Sequence, residues 1–248
     1  MTTSGQDPTH GPCAAQSPPV GATAPGGYDL IVQQLIPGYA SLARLAVSLL
    51  AVSPRAAAPG AAVLVAGCGT GAELLEARSQ RPDWHLTAID PSAAMLAAAQ
   101  ERLQALATPP SSPPIDWIRT TVEELLRPEG FDGALSVLVL QSLADDGSKL
   151  AFLSSLARSL RPGGQLVLVD LMRPERSPLQ TQVEEAWSAF QRASGVQGAA
   201  EALAGLSPHL HPIGLSRLTA LAAAVGFSDP APVFQALDFQ GFLLQRQG

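Results

Sequence analysis

The sequence predicts an α/β chain built on a parallel sheet with crossover helices. Three observations carry that prediction. Short apolar runs that suit buried strands alternate with helical stretches along most of the chain. Between Val63 and Asp90 a strand, a glycine-rich turn, a helix and a second strand follow one another directly. The C-terminus closes on two strand-like runs, VFQALDF and GFLLQ, close enough to read as a tight hairpin turning near Gly241.

Taken in order, residues 1–27 contain no Lys or Arg and are rich in Pro, Gly, Ser and Thr. They lack the basic start and apolar centre of a secretory signal and cannot bury enough surface to order themselves. A flexible tail is expected there, with order beginning at Tyr28. Apolar residues from Leu30 to about Val52 recur at helical spacing, and Pro37-Gly38 divides them into two helices. Val63 to Ala66 is the first strand, a helix starts near Ala72, and the second strand ends at Asp90. Ser92 is placed to N-cap a helix running to Leu106. Ile115 to Arg119 reads as a short strand, Val122 to Leu126 as a helical turn and Gly133 to Leu140 as the next strand. A helix from Lys149 to Leu160 is stopped by Arg161-Pro162-Gly163-Gly164, and Gln165 to Leu171 is another buried strand. Residues 174–212 break the rhythm with helical, partly polar sequence, and Ser216 to Val225 is a last helix closed by Gly226.

The stretch from Val63 to Asp90 carries the chemistry. Gly67, Gly69 and Gly71 let the main chain turn tightly and let a ligand press against it. The next helix turns its unpaired N–H groups towards that turn. Asp90 lies 19 residues beyond Gly71, at the end of an apolar run, where a carboxylate suits the two hydroxyls of a ribose. A nucleoside site follows. The dinucleotide fingerprint G-x-G-x-x-G would need glycine at position 72, and this chain has Ala72.

The G-x-G-x-G spacing within GCGTG, followed by Asp90, Pro91, Ser92 and Met95, resembles motif I of the class I methyltransferases that use S-adenosylmethionine. FDGALSVLVLQSL and LRPGGQLVLVD resemble the fourth- and fifth-strand motifs of that family. Tyr28-Asp29, Leu140-Gln141 and the closing VFQALDFQGFLL are similar to a subgroup that includes carboxy-S-adenosylmethionine synthase. The resemblance implies a Rossmann-like, doubly wound, seven-stranded sheet with an antiparallel last strand. It also implies a methyltransferase domain over 28–248 in which 174–212 form a helical lid insertion. For the cofactor it implies that Gly67, Cys68, Gly69 and Gly71 line the methionine end, with Tyr28 closing over it. Asp90, with Pro91 beside it, takes the ribose; Met95, Thr121 and Val122 border the adenine; Leu138 to Gln141 close the side nearest the sulfonium.

Three departures from the family pattern each remove a polar contact. Val65 stands where the family has an acid, Thr121 where it has Asp, and Val137 where the subgroup has Asn or Ser. The subgroup's carboxylated cofactor needs a basic residue from the lid, and between Gln191 and Ser216 the only arginine is Arg192, so that activity is not expected. Methyl transfer needs alignment and, for some acceptors, a base. His209 and His211 in the lid segment LSPHLHPIGL are the base candidates, since histidine titrates near neutral pH. Trp187 and Phe190, three apart on one helix face, are candidates for the acceptor pocket, with packing of that helix the competing use.

Composition narrows the partners. A net charge of −6 and a hydrophobic fraction of 46% fit a large globular domain and disfavour a nucleic-acid binder. No apolar run reaches the roughly 18 residues needed to cross a bilayer. Two cysteines, Cys13 and Cys68, supply neither a disulfide framework nor a metal set, so a cytoplasmic protein without a metal is expected. The expected activity is methyl transfer from S-adenosylmethionine to an O, N or C atom of a small-molecule acceptor, in secondary metabolism; a homodimer is compatible with it. The alternatives are a catalytically inactive S-adenosylmethionine-binding protein or partner subunit, and a nicotinamide dehydrogenase.

Overall fold

The structure, a computed structural model, describes residues 25–106, 109–125, 128–195 and 209–248. Its strands are β1 (Ala62–Ala66), β2 (His85–Ile89), β3 (Asp116–Ile118), β4 (Phe131–Val137), β5 (Leu160–Leu171), β6 (Ala231–Ala236) and β7 (Phe239–Gln245). The helices are α1 (Pro25–Leu35), α2 (Tyr39–Ala51), α3 (Ala72–Gln80), α4 (Ala93–Gln104), α5 (Ser148–Ser159), α6 (Gln180–Ala193) and α7 (Leu215–Ala224). The sheet order is β3-β2-β1-β4-β5-β7-β6. Strands β1 to β5 run parallel, and β7 runs antiparallel to both of its neighbours.

Alternation along the strands builds two cores. Leu64, Ala66, Leu166 and Leu168 point to one face, where α5 and α7 bring Phe152, Leu156, Leu218 and Leu221. Val63, Val65, Val167 and Val169 point to the other, against Leu42, Val47 and Leu50 of α2 and Leu74 of α3. Helix α2 lies so close to β4 that a Cβ at Gly133 would sit 2.7 Å from Leu50 Cδ1. Among the described residues no single helix is long and apolar enough to cross a membrane. The apolar helices α1 and α2 bend by 93° about Pro37-Gly38, and α2 spends its apolar face on the core.

Two sequence expectations need correction. The hairpin does not turn at Gly241. It turns at Leu237-Asp238, with Leu237 at φ +55°, and Gly241 lies inside β7 opposite Val169 and Phe234. Glycine is needed there for packing, since a Cβ would come within 3.0 Å of Phe234 Cβ and 3.3 Å of Val169 Cγ2. Order also begins earlier than Tyr28, because α1 starts at Pro25. The remainder of the expected tail, residues 1–24, lies outside the described residues. The Arg161–Gly164 run does end α5 at Ser159, but it bulges out of β5: pairing with β4 jumps from Phe131–Leu160 to Gly133–Gln165.

Candidate active site

The glycine loop leaves β1 with three positive φ angles: Gly67 at +71°, Gly69 at +50° and Gly71 at +87°. The three glycines serve different ends. A Cβ on Gly67 would strike Val139 Cγ2 at 2.4 Å, and one on Gly71 would meet Ala99 Cβ of α4 at 3.0 Å. At Gly69 the same position has nothing within 4 Å, so the loop there faces open space that a ligand can press into. The N–H groups of Gly67 and Cys68 both donate to Ile89 O at 2.9 Å, which ties the loop to the end of β2. Burial pushes the Cys68 thiol up, making it a small apolar filler with no thiolate character.

Asp90 follows β2 and is 7% exposed. Its Oδ2 accepts from Gly69 N–H at 2.9 Å and its Oδ1 from Ser92 N–H at 2.8 Å. Each oxygen has a further lone pair, so the carboxylate is held by the loop and still able to accept from two hydroxyls. Burial pushes its pKa up, and the two main-chain donors oppose that shift. Ser92 caps α4 by accepting from Met95 N–H at 3.4 Å, and Met95 itself is half-buried. The Pro91 carbonyl accepts from Arg119. Thr121 is half-buried just beyond β3, and Val122 is buried in the core.

Tyr28, Tyr39, Thr70, Glu73, Val137 and Leu138 line the cleft together with Gly67 to Gly69. Helix α1 is fastened over the loop by Asp29, which accepts from the Thr70 hydroxyl and from Arg102 of α4, each at 2.5 Å. Arg102 also donates to Thr70 O at 2.9 Å. Burial, with the carboxylates of Glu73, Asp29 and Asp90 nearby, pushes the Tyr28 phenol up to about 12, so it is a neutral hydrogen-bonding group. Tyr39, Thr70, Glu73, Asp29 and Arg102 were not singled out as site residues from the sequence. Glu73 lies two residues past Gly71 and was within reach of such a reading; Asp29, Thr70 and Arg102 come together through contacts across 32, 41 and 73 positions that spacing cannot reveal.

The far side of the cleft is set by Leu138, at φ +60°, whose N–H donates to Val169 O at 2.7 Å. Gln141 acts mainly as a staple. Its side chain accepts from Leu171 N–H, its N–H donates to Asp170 and its carbonyl accepts from His211 N–H at 2.7 Å. This last bond brings His211 to the carboxyl end of the sheet, and the side chains of both His209 and His211 are exposed. Trp187 is committed to packing: its indole N–H donates to Leu35 O at 2.7 Å and its ring meets Phe239 edge-on at 5.7 Å. Phe190, one turn along α6, is half-buried. Among the described residues no His, Cys, Asp and Glu gather into a metal-binding group.

Residues 63–164 match a family model described as a methyltransferase domain. Among curated proteins, the carboxy-S-adenosyl-L-methionine synthase of Shewanella sp. (strain W3-18-1) is 27% identical over 174 residues, 68% of each chain. Human N-acetylserotonin methyltransferase, solved in complex with S-adenosylmethionine, superposes with a TM-score of 0.56 at 19% identity over 83% of this chain. This chain spans about half of that protein, 52% of its length. The cyclopropane synthase MmaA2 of Mycobacterium tuberculosis gives a TM-score of 0.60 at 18% identity, covering 82% of both chains. The open glycine loop, the Asp90 carboxylate bonded to it, the strand order and these matches make this chain similar to the class I methyltransferases and support S-adenosylmethionine as its cofactor.

Proposed function

We propose that this chain methylates an oxygen, nitrogen or carbon atom of a small organic acceptor in cytoplasmic secondary metabolism. In this reading residues 28–248 are its methyltransferase domain and 174–212 the lid insertion, of which α6 is described and positions 196–208 lie outside the described residues. The observation that carries the cofactor assignment is Asp90, buried, bonded to Gly69 N–H and presenting spare acceptor capacity beside an open loop. When bound, S-adenosylmethionine supplies a methyl group already activated on sulfur. The chain's own part is to orient: Asp90 accepts from the ribose hydroxyls, the loop main chain supports the methionine end, and Val137 and Leu138 wall off water beyond it.

The acidic balance of the chain and the half-buried Phe190 of α6 support a small acceptor. Methyl transfer is favoured over use of a carboxylated cofactor because Arg192 is exposed and Arg217, the next arginine, is forked onto Asp145 at 2.9 and 3.1 Å. Calorimetry with S-adenosylmethionine, S-adenosylhomocysteine and NAD tests the cofactor. Heat is expected from the first two and none from NAD; the reverse would favour a nicotinamide dehydrogenase. His211 is the preferred proton acceptor because Gln141 fixes its main chain at the sheet end. Replacing His209 and His211 together by alanine should slow turnover by roughly 10²–10⁴-fold. Normal turnover in that variant would leave the transfer with no histidine base.

A further inference from the structure

Two carboxylates, Asp29 and Glu73, sit at the glycine loop, and one cation, Arg102, stands beside them. Asp29 holds that cation at 2.5 Å and also the Thr70 hydroxyl. Glu73, at the start of α3, is 6% exposed and lines the cleft with Tyr28, Tyr39 and Gly67 to Thr70. Among the described residues it has no ion-pair partner, and its own main-chain N–H is the bond that favours its charge. A carboxylate buried this far is normally paired, because an isolated charge out of water is costly. Burial accordingly pushes its carboxyl up to about 7, Asp29 adding to the shift and Arg102 opposing it.

We propose that Glu73 is the carboxylate that receives the ammonium group of the methionine moiety of S-adenosylmethionine. This rests on the cofactor assignment above and adds a positioning residue to it. Asp90, to which the proposed function gives the ribose, is bonded to Gly69 N–H at one end of the loop, and Glu73 lies at the other end, beyond Thr70. A ligand held between them needs a cation where Glu73 faces the cleft and hydroxyl donors where Asp90 does. The amino-acid end of this cofactor supplies the first and its ribose the second. Val65, at 2% exposure within an apolar cluster, offers the ammonium nothing, so the charge on this side comes from α3.

The test compares two ligands by calorimetry on the full chain. S-adenosylhomocysteine has both ends, whereas 5′-methylthioadenosine has the nucleoside but no amino acid. Glu73→Gln should weaken S-adenosylhomocysteine by about tenfold to a hundredfold, as loss of a charge-assisted bond does, and leave 5′-methylthioadenosine unchanged. Equal weakening of both ligands would make Glu73 a structural support of the loop, and no change in either would remove it from the site; both outcomes overturn the proposal. If wild-type protein binds neither ligand, the cofactor assignment itself fails. Should the glutamine variant not fold, Glu73→Asp keeps the charge and shortens the reach. It should then weaken only S-adenosylhomocysteine, and equal affinity for that ligand in the variant and the wild type would overturn the proposal.

Discussion

The carboxyl ends of β2 and β5 carry the same device put to different uses. Asp90 follows β2 and holds the loop that leaves β1; Asp170, near the end of β5, holds the loop that leaves β4. Each is buried and each accepts from two main-chain N–H groups. Asp170 takes Gln141 N–H at 2.9 Å and Leu140 N–H at 3.3 Å. The difference lies in what stands beside them. Lys149, the one lysine of the chain, is fully buried near Asp170 and donates to Leu140 O, so the β5 carboxylate is sealed in a structural lock. Among the described residues Asp90 has no such cation, and it is bonded to a glycine with open space beside it. A strand-end carboxylate thus keeps acceptor capacity for a ligand where its neighbours leave it unfilled, and is a rivet where they fill it.

Breaking the rivet should give the largest effect. Asp170→Ala leaves Lys149 buried without its counter-charge and two main-chain donors without an acceptor. A loss of about 3–5 kcal/mol in unfolding free energy is expected, read from urea denaturation. A loss below about 1 kcal/mol would mean that Lys149 and the loop find other partners, and the lock would be no lock. The matching change at β2 should act mainly on binding. Asp90→Ala is expected to weaken S-adenosylhomocysteine by about 1.5–3 kcal/mol, typical of hydrogen bonds to a charged group. An unchanged dissociation constant would mean that Asp90 serves only the loop, like its counterpart.

The sequence made half of this comparison legible. Asp90 was visible because its proposed role depends on local order: a glycine loop, a helix, a strand end and a fixed spacing. The parallel sheet, the existence of its strands and the Ser92 cap were visible for the same reason. Asp170 ends an equally clear strand, yet nothing in LVLVD announces that Lys149, 21 residues earlier, is buried near enough for its charge to act on it. Asp29 reaches Thr70 and Arg102 across 41 and 73 positions, which only the packing of α1 brings about. Gly241 misled in the opposite direction. It looked like a turn residue but meets a steric demand from Phe234 and Val169 on neighbouring strands. Local chemistry could be read from the residues; the identity of a buried partner could not.

A smaller effect sharpens the comparison further, because the buried acids should make stability depend on pH. Burial pushes Asp170 from 3.8 up to about 7 and Glu73 from 4.5 up to about 7, and raises Asp90 in the same direction. Between about pH 4 and 7 the native chain therefore holds protons that the unfolded chain has released. The derivative of unfolding free energy with pH is then negative, and stability should fall as pH rises through that window and level off above about 7. Asp83, Asp145 and Asp146 are shifted the other way by hydrogen bonds to Arg81, Arg217 and Ser148, and act at the acid side of that window. Urea midpoints at pH 5 and 7.5 measure the fall, and Glu73→Gln should reduce it. S-adenosylhomocysteine divides the two ends of the molecule. An ammonium against Glu73 favours the ionised carboxyl, so binding should tighten as pH rises through about 7 in the wild type and less so in Glu73→Gln, where Asp90 remains. Asp170, sealed from the ligand, should contribute to the stability slope and nothing to the binding slope. If Asp170→Asn changes the pH dependence of binding, the rivet and the site are one coupled unit.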